Sequence, residues 1–262
     1  MNDPVWLYVL LCLSAFVAGV MNSVAGGGTL LTFPALLAAL SPLGAGAAAV
    51  ANATSTVALL PGSFAGAVGY RKELYESRRF IARMVAPSIA GGFLGAWLVW
   101  QYQSGFATLV PWLILTAALL FLIQAPVSKY LKARRPDHEP GRRTLVVLVG
   151  CQFVIAVYGG YFGAGIGILM LTALGFMGVG DIHRMNALKT LLAALINGAS
   201  VVLFIRKGLV NWELVWPMVI AAVVGGYGGA RVARRLPAAY VRYAVIVIAL
   251  GLSVYYFIQQ YG

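Results

Sequence analysis

Asn186, Lys189 and Thr190 stand at positions i, i+3 and i+4 of a stretch that runs apolar as far as Ile205. Residues at this spacing share one helix face, so the three polar groups address a single neighbouring space. The same spacing recurs as Asn52, Ser55 and Thr56, each 134 positions before its counterpart. Lys189 carries the only charge of the set, and the nearest acid, Asp181, lies eight positions back. A base without a partner inside an apolar span is costly and points to a cavity or a distant partner. The bland alternative is a lysine near a helix end whose stem snorkels to the interface. An ammonium flanked by amide and hydroxyl groups is chemistry for holding a small anion. Asn197 and Ser200, further along the same stretch, either line that space or bond neighbouring helices.

Two glycine-rich segments supply the second kind of anion chemistry. The first is Asn22-Ser23-Val24-Ala25-Gly26-Gly27-Gly28-Thr29. The second runs from Gly159 to Gly167 and includes Gly163 and Gly165. Each glycine in a helix interior costs about 0.8–1.0 kcal/mol relative to alanine, so such clusters interrupt helices. Broken helices at membrane depth are tolerated where the backbone is buried in protein or lines a wet cavity. A half-helix starting just after each break, near Thr29 and near Ile168, would point free N–H groups and a positive dipole end inward. Glycine also lets a ligand approach that backbone closely. Close packing of helices through small residues is the competing explanation. It accounts better for Gly91-Gly92-x-x-Gly95 and the matching Gly225-Gly226-x-x-Gly229. The substrate-binding set expected from sequence is therefore Asn22, Ser23, Gly26, Gly27, Gly28, Thr29, Asn52, Ser55, Thr56, Gly163, Gly165, Gly167, Asn186, Lys189, Thr190 and Asn197.

These residues must be positioned by elements that live in lipid. Of 262 residues, 61% are hydrophobic and 10% charged, and the mean hydropathy is +0.87. A soluble domain carries about 25% charged residues. The apolar stretches run about 20 residues, the length of a membrane-crossing helix, and Thr144 to Tyr158 lacks the alternation of a barrel strand. The start, Met1 to Pro4, holds Asp3 and no base, unlike a removable secretory leader. Cys12 and Cys151 both fall in apolar stretches, as small buried hydrophobes do; a disulfide or a reactive thiol is the alternative.

Eight spans are expected: 5–24 continuing past the first glycine break to 40, then 46–70, 80–100, 106–126, 144–178 (also broken), 185–205, 212–231 and 238–258. Asn52-Ala53, Thr56 and Gly91-Gly92 repeat at offset 134, and the glycine breaks repeat at offset 138. The expected fold is all-α and integral to the membrane, with about eight transmembrane helices. They form two parallel four-helix repeats, residues 1–127 and 144–262, the first helix of each broken at its glycine-rich segment. Residues 128–143 form a basic cytoplasmic linker between them. Paired glycine-interrupted spans at corresponding positions are the mark of a transporter's binding site.

With the N-terminus inside, thirteen Lys and Arg residues fall in cytoplasmic loops and five outside, which favours cytoplasmic N- and C-termini in a bacterial inner membrane. Arg231, Arg234 and Arg235 run against that bias. The net charge of +12 sits in short loops, so it reads as membrane orientation rather than nucleic-acid binding. His138 and His183 are the only histidines, and neither they nor the seven acids form a metal cluster or a serine–histidine pair. No catalytic residue, metal or cofactor is expected, which leaves an intramembrane hydrolase a distant alternative. No carboxylate lies deep in a span to carry protons.

Together, NSVAGGGTLLTFPALL at 22–37, GGYFGAGIGILML at 159–171, the segments NATSTV and NALKTL, and GGYGGARVARRLP ending at Pro237 give the chain its likeness to known proteins. It resembles the sulfite exporter TauE/SafE family over essentially its whole length. The resemblance implies movement of sulfite, sulfonates or related organosulfur and carboxylate anions across the bacterial cytoplasmic membrane. In the second motif Ile166 stands for Gly28 and Thr172 for Pro34, so equal roles for the two half-helices stay open. The expected function is a secondary transporter of a small sulfur-containing or organic oxyanion bound between the two broken helices. A small anion-selective channel is the alternative. The expected partners are the anionic substrate and the lipid bilayer, without nucleic acid and with a homo-oligomer left open.

Overall fold

Leu, Val, Ile and Ala runs without water to bond their backbone must satisfy it internally, which in a single segment means a helix. The computed structural model describes residues 5–24, 27–133, 142–176, 182–232 and 238–261, and every long element among them is an α-helix. In chain order these are α1 (Val5–Val24), α2 (Thr29–Ala39), a 3-10 segment (Ser41–Gly46), α3 (Ala47–Gly69) and α4 (Arg71–Glu76). Then follow α5 (Arg78–Gln101), α6 (Gln103–Ala133), α7 (Arg142–Tyr161), α8 (Ile166–Phe176), α9 (Ile182–Arg206), α10 (Trp212–Val232) and α11 (Ala238–Tyr261). Four described segments are long and apolar enough to cross a membrane: Val5–Asn22, Arg78–Gln101, Gln103–Gln124 and His183–Arg206. Shorter apolar helices accompany them, Thr29–Ala39 and Ile166–Gly175 among them.

Small residues let these helices approach to backbone contact, the packing that replaces the hydrophobic effect in lipid. A Cβ on Gly91 would sit 2.7 Å from the Phe153 carbonyl oxygen, and one on Gly95 or Gly160 would collide with the backbone of the facing helix. Gly19 and Gly225 do the same for α1 against α10. The glycine triplet of α5 is thus a packing device, as its spacing suggests.

Contacts along the helices fix their directions. Gln152 donates to Ser88 at 2.9 Å, and a Cβ on Gly95 would lie 2.6 Å from Tyr161 nitrogen, so α5 and α7 run the same way. Arg184 reaches Ser77 and Ser200 reaches the Gly92 carbonyl, so α9 runs with α5. α10 turns back from α9 at Gly208, where φ is +68°. The Asn211 N–H before α10 bonds Thr54 at 3.1 Å, and Val57 packs with Val215, so α3 runs with α10 and against α9. Ser253 bonds the Pro111 carbonyl and Tyr261 the Thr108 carbonyl, so α11 runs against α6.

Two expectations are corrected here. The repeats are not parallel: α3 and α9, equivalent at offset 134, point in opposite directions, and so do α6 and α11. The expected broken spans are also not single interrupted helices. α1 alone has 20 residues, about 30 Å of helix. The chain then reverses, so that Gly28 lies beside Ala18 and its N–H donates to the Asn22 side-chain oxygen. α7 likewise has 20 residues, and Tyr158 near its end bonds the Ala164 carbonyl across the second turn. A glycine at positive φ turns the chain back rather than merely interrupting it.

The reversals add a helix to each half, and this changes which ends share a face. Tyr261 closes α11 beside the start of α6, whereas Ala133 and Arg142, which flank the linker, lie at the other end of that helix. α2 runs against α3, meeting it at Thr32 and Ser55, and the reversal that sets Gly28 beside Ala18 makes α1 run against α2, so α1 runs with α3 and α10 and Val5 lies at the Tyr261 face. The described ends of α1 and α11 therefore lie opposite the linker, not on its side. Gly26, Asp181, Arg234, Arg235 and the linker centre lie outside the described residues.

Candidate functional site

The second glycine turn is built by α7, α8 and the helices that clasp them. Gly163 and Gly165 hold φ of +82° and +80°, a conformation L side chains rarely adopt. A Cβ on Gly165 would lie 3.0 Å from Leu120 of α6. The first turn rests on the next residue of the same helix: Gly27, at φ +91°, has no room for a Cβ because the Phe121 ring fills it. The two reversals therefore meet on one stretch of α6, and Phe33 of α2 packs edge-to-face on Phe162 at 5.3 Å.

Lys189 comes to this place from α9. Its stem lies across Gly167, where an added Cβ would sit 3.1 Å from Cδ. Gly167 is the second residue of α8, so the lysine crosses a helix start; the Ile168 N–H expected to be free bonds the Gly165 carbonyl at 3.0 Å, which leaves those of Ile166 and Gly167 without an intrahelical acceptor. A cation and the positive end of a helix repel each other, and an anion between them would satisfy both. Among the described residues no acid or hydrogen-bond acceptor pairs with Lys189.

Lys189 stands in a half-buried stripe of α9 with Asn186, Thr190 and Asn197. These positions fall on one helix face. The stripe does not face lipid, because α3, α5, α7 and α8 all pack around α9. Thr190 donates its hydroxyl proton to the Asn186 carbonyl at 2.8 Å. The Asn197 amide oxygen lies 3.9 Å from the Cβ position of Gly163, beside the turn itself.

The equivalent face of α3 is arranged differently. Ser55 is 0% exposed and shares a hydrogen bond of 2.6 Å with Thr32 of α2. Asn52, 1% exposed, donates to the Tyr161 carbonyl at 3.1 Å, capping the end of α7. Its own amide oxygen has no partner. Thr56 bonds back to the Asn52 carbonyl and stays half-buried. Asn22 is spent on the first turn, its side-chain oxygen accepting the Gly28 N–H at 2.9 Å. Thr29 opens α2 half-buried; the Ser23 side chain and all of Gly26 lie outside the described residues. The structure thus gathers Gly163, Gly165, Gly167, Lys189 and Asn197 around one turn, places Asn186 and Thr190 on the same face of α9 as Lys189 with the Thr190 methyl toward Gly66 of α3, and commits Asn22, Asn52 and Ser55 to internal bonds.

The sulfite exporter TauE/SafE family matches residues 11–256. The chain belongs to that family. It is 27% identical to the probable membrane transporter protein YfcA of Escherichia coli K12, covering 100% of this chain and 93% of that protein. A probable membrane transporter protein of Haemophilus influenzae is 26% identical over 94% of this chain and 92% of its own length. One from a Sinorhizobium species, ORF9, is 29% identical over 95% and 91%. No solved structure matches. A TauE/SafE chain with several membrane-span helices is a multi-pass bacterial membrane protein, and the relatives' names mark it as a membrane transporter.

Sequence reasoning about this TauE/SafE protein missed Thr32 and Tyr158. Thr32 is the sole polar residue between Leu30 and Leu40 and is 0% exposed, a signal that was available. Tyr158 looks like an ordinary interfacial aromatic; only the reversal of α8 brings the Ala164 carbonyl to its hydroxyl.

Proposed function

We propose that this protein is a secondary transporter that binds a small oxyanion, sulfur-containing or carboxylate, between the start of α8 and the polar stripe of α9. The observation that carries the reading is Lys189 laid without a partner across Gly167 at a helix start. Two positive features with a polar, half-open face beside them suit one compact negative solute. Asn186, Thr190 and Asn197 would orient it, and Gly163 and Gly165 would let it approach backbone N–H groups. The first turn, with Gly27, Gly28 and Thr29, supports the site from the α2 side. The closed face of α3 beside the open face of α9 favours a carrier over a channel.

Helix directions support an inverted duplication, with residues 1–127 and 144–262 as halves related by an axis in the membrane plane. Charge supports an orientation. Among the described residues Arg71, Lys72, Arg78, Arg79, Arg83 and Arg184 belong to the helix ends at the linker's face, as do the positions Lys129, Lys132, Arg142 and Arg143 at the end of α6 and the start of α7. Arg231 and Arg242, at the end of α10 and in the first turns of α11, join them, whereas Arg206 and Lys207 stand at the opposite face. Cytoplasmic loops carry the excess of bases, so the linker's face is cytoplasmic and both termini are outside.

Thermal unfolding of the purified protein with sulfite, sulfate, sulfoacetate, taurine and small carboxylates tests the reading. A ligand at 100 times its Kd adds about 2.7 kcal/mol to stability. A shift with one anion class that is absent with taurine, whose amine repels Lys189, is the expected result. No shift with any of them would remove the support for an anion site.

A further inference from the structure

α3 and α9 carry matching polar faces, and the two faces are in different states. Asn52 and Ser55 are sealed, whereas their counterparts Asn186 and Lys189 are half-buried; Thr56 and Thr190 are half-buried on both helices. Leu59, 5% exposed, matches the half-buried Ala193 in the same sense. α9 runs against α3, and Lys189 lies seven residues into α9 from its start at the linker's face. Ser55 lies eight residues into α3 from the opposite face. The open polar stripe therefore begins near the linker's face, and the closed one near the termini's face.

What closes α3 is identifiable. The Thr32–Ser55 hydroxyl pair joins α2 to α3 at 2.6 Å, the Asn52 amide holds the end of α7, and the Asn211 N–H holds Thr54. Phe33, Phe106, Tyr161 and Phe162 stack behind these bonds, with ring centroids 5.1–6.5 Å apart. On the other side the position matching Thr32 is Met170, and Gly167 with the Lys189 stem replaces a hydroxyl pair. The closed side also leaves the Asn52 amide oxygen buried without a donor, a burden that ends once water or substrate reaches it.

We infer that Thr32, Ser55 and Asn52 form the gate on the termini's face, and that this structure is the state in which the anion site opens toward the linker's face. The inference rests on the transporter reading and names how access to that site is controlled. In the alternate state the inverted halves exchange roles: the Thr32–Ser55 bond parts, Asn52 is wetted, and the Asn186–Asn197 stripe closes. The gate is made of neutral hydroxyl and amide bonds, each weak enough to break within a cycle.

Single cysteines in full-length protein lacking Cys12 and Cys151 test this with a membrane-impermeant thiol reagent applied to right-side-out and inside-out vesicles. Asn186→Cys and Thr190→Cys should react from the linker's face alone, while Leu59→Cys, on the closed face of α3 but outside the gate bonds, resists from both. Adding Thr32→Val to Leu59→Cys should raise labelling from the termini's face about fivefold, the effect of losing one neutral hydrogen bond. Leu59→Cys reacting from the same face as Asn186→Cys would overturn the gate, as would Thr32→Val leaving Leu59→Cys unchanged. Thr190→Cys serves if Asn186→Cys does not fold. Labelling needs no transport, so the expected pattern in a protein that moves no anion would sink the transporter reading while leaving the gate in place.

Discussion

Substituting Gly167 separates the anion site from the stability of the helix that bears it. The Cβ of Gly167→Ala would fall 3.1 Å from Lys189 Cδ, so the stem must shift by a few tenths of an ångström. A branched side chain in Gly167→Val must displace it by about 1 Å or more. An oxyanion at about 3 Å from the ammonium gains roughly 5.5 kcal/mol at an effective dielectric near 20, and at about 4 Å roughly 4 kcal/mol. The difference, about 1.4 kcal/mol, is about tenfold in affinity. Gly167→Val should therefore weaken anion binding at least about tenfold, and Gly167→Ala a few-fold. Alanine in a helix is favoured over glycine by about 0.8–1.0 kcal/mol, so the alanine variant should unfold no sooner than wild type. Gly150→Ala, whose Cβ would meet nothing within 4 Å, is the control. The assay pairs thermal unfolding without ligand and anion binding by isothermal titration on the same samples. A folded Gly167→Val protein that binds the anion as tightly as wild type would refute the placement of Lys189 against α8.

Gly27→Ala should destabilise the protein, because φ +91° and the Phe121 ring both exclude a methyl. The backbone strain alone is about 1–2 kcal/mol, and Phe121→Ala in the same chain should recover part of the lost melting temperature in detergent. Gln152→Leu removes the bond to Ser88 between α5 and α7. It should lower stability by no more than about 1.5 kcal/mol, seen as a small drop in melting temperature with binding unchanged. A thiol or epitope placed at either terminus should react with impermeant reagents in intact cells after outer-membrane permeabilisation, and one in the linker should not; reaction of the linker alone would reverse the orientation.

The candidate site's local geometry was legible because its signals are local. The i, i+3, i+4 spacing of Asn186, Lys189 and Thr190 survives any tertiary arrangement, since one helix carries all three. Gly27, Gly163 and Gly165 announced turns through the cost of glycine in helices, and all three adopt positive φ. What sequence could not show was where the chain went afterwards. Counting the residues through Gly27 as one span hid a reversal, and one missed reversal per half changed even counts of crossings into odd ones. That miscount set α3 and α9 in one direction, where the structure has them opposed, and left Arg231, Arg234 and Arg235 as an anomaly of charge. With the reversals in place, Arg231 joins the basic face. The matched offset of Ser55 and Lys189 was equally visible, but burial was not: Ser55 finds Thr32 from a separate helix, and no spacing within α3 foretells it.

Labelled-anion counterflow in proteoliposomes, wild type against Lys189→Ala, decides whether the Lys189 ammonium holds the transported anion. The site predicts that the variant inserts and melts like wild type yet loses at least about 90% of saturable exchange, as removal of an unpaired ammonium inside a span implies. Exchange at the wild-type rate and half-saturation in Lys189→Ala would contradict it.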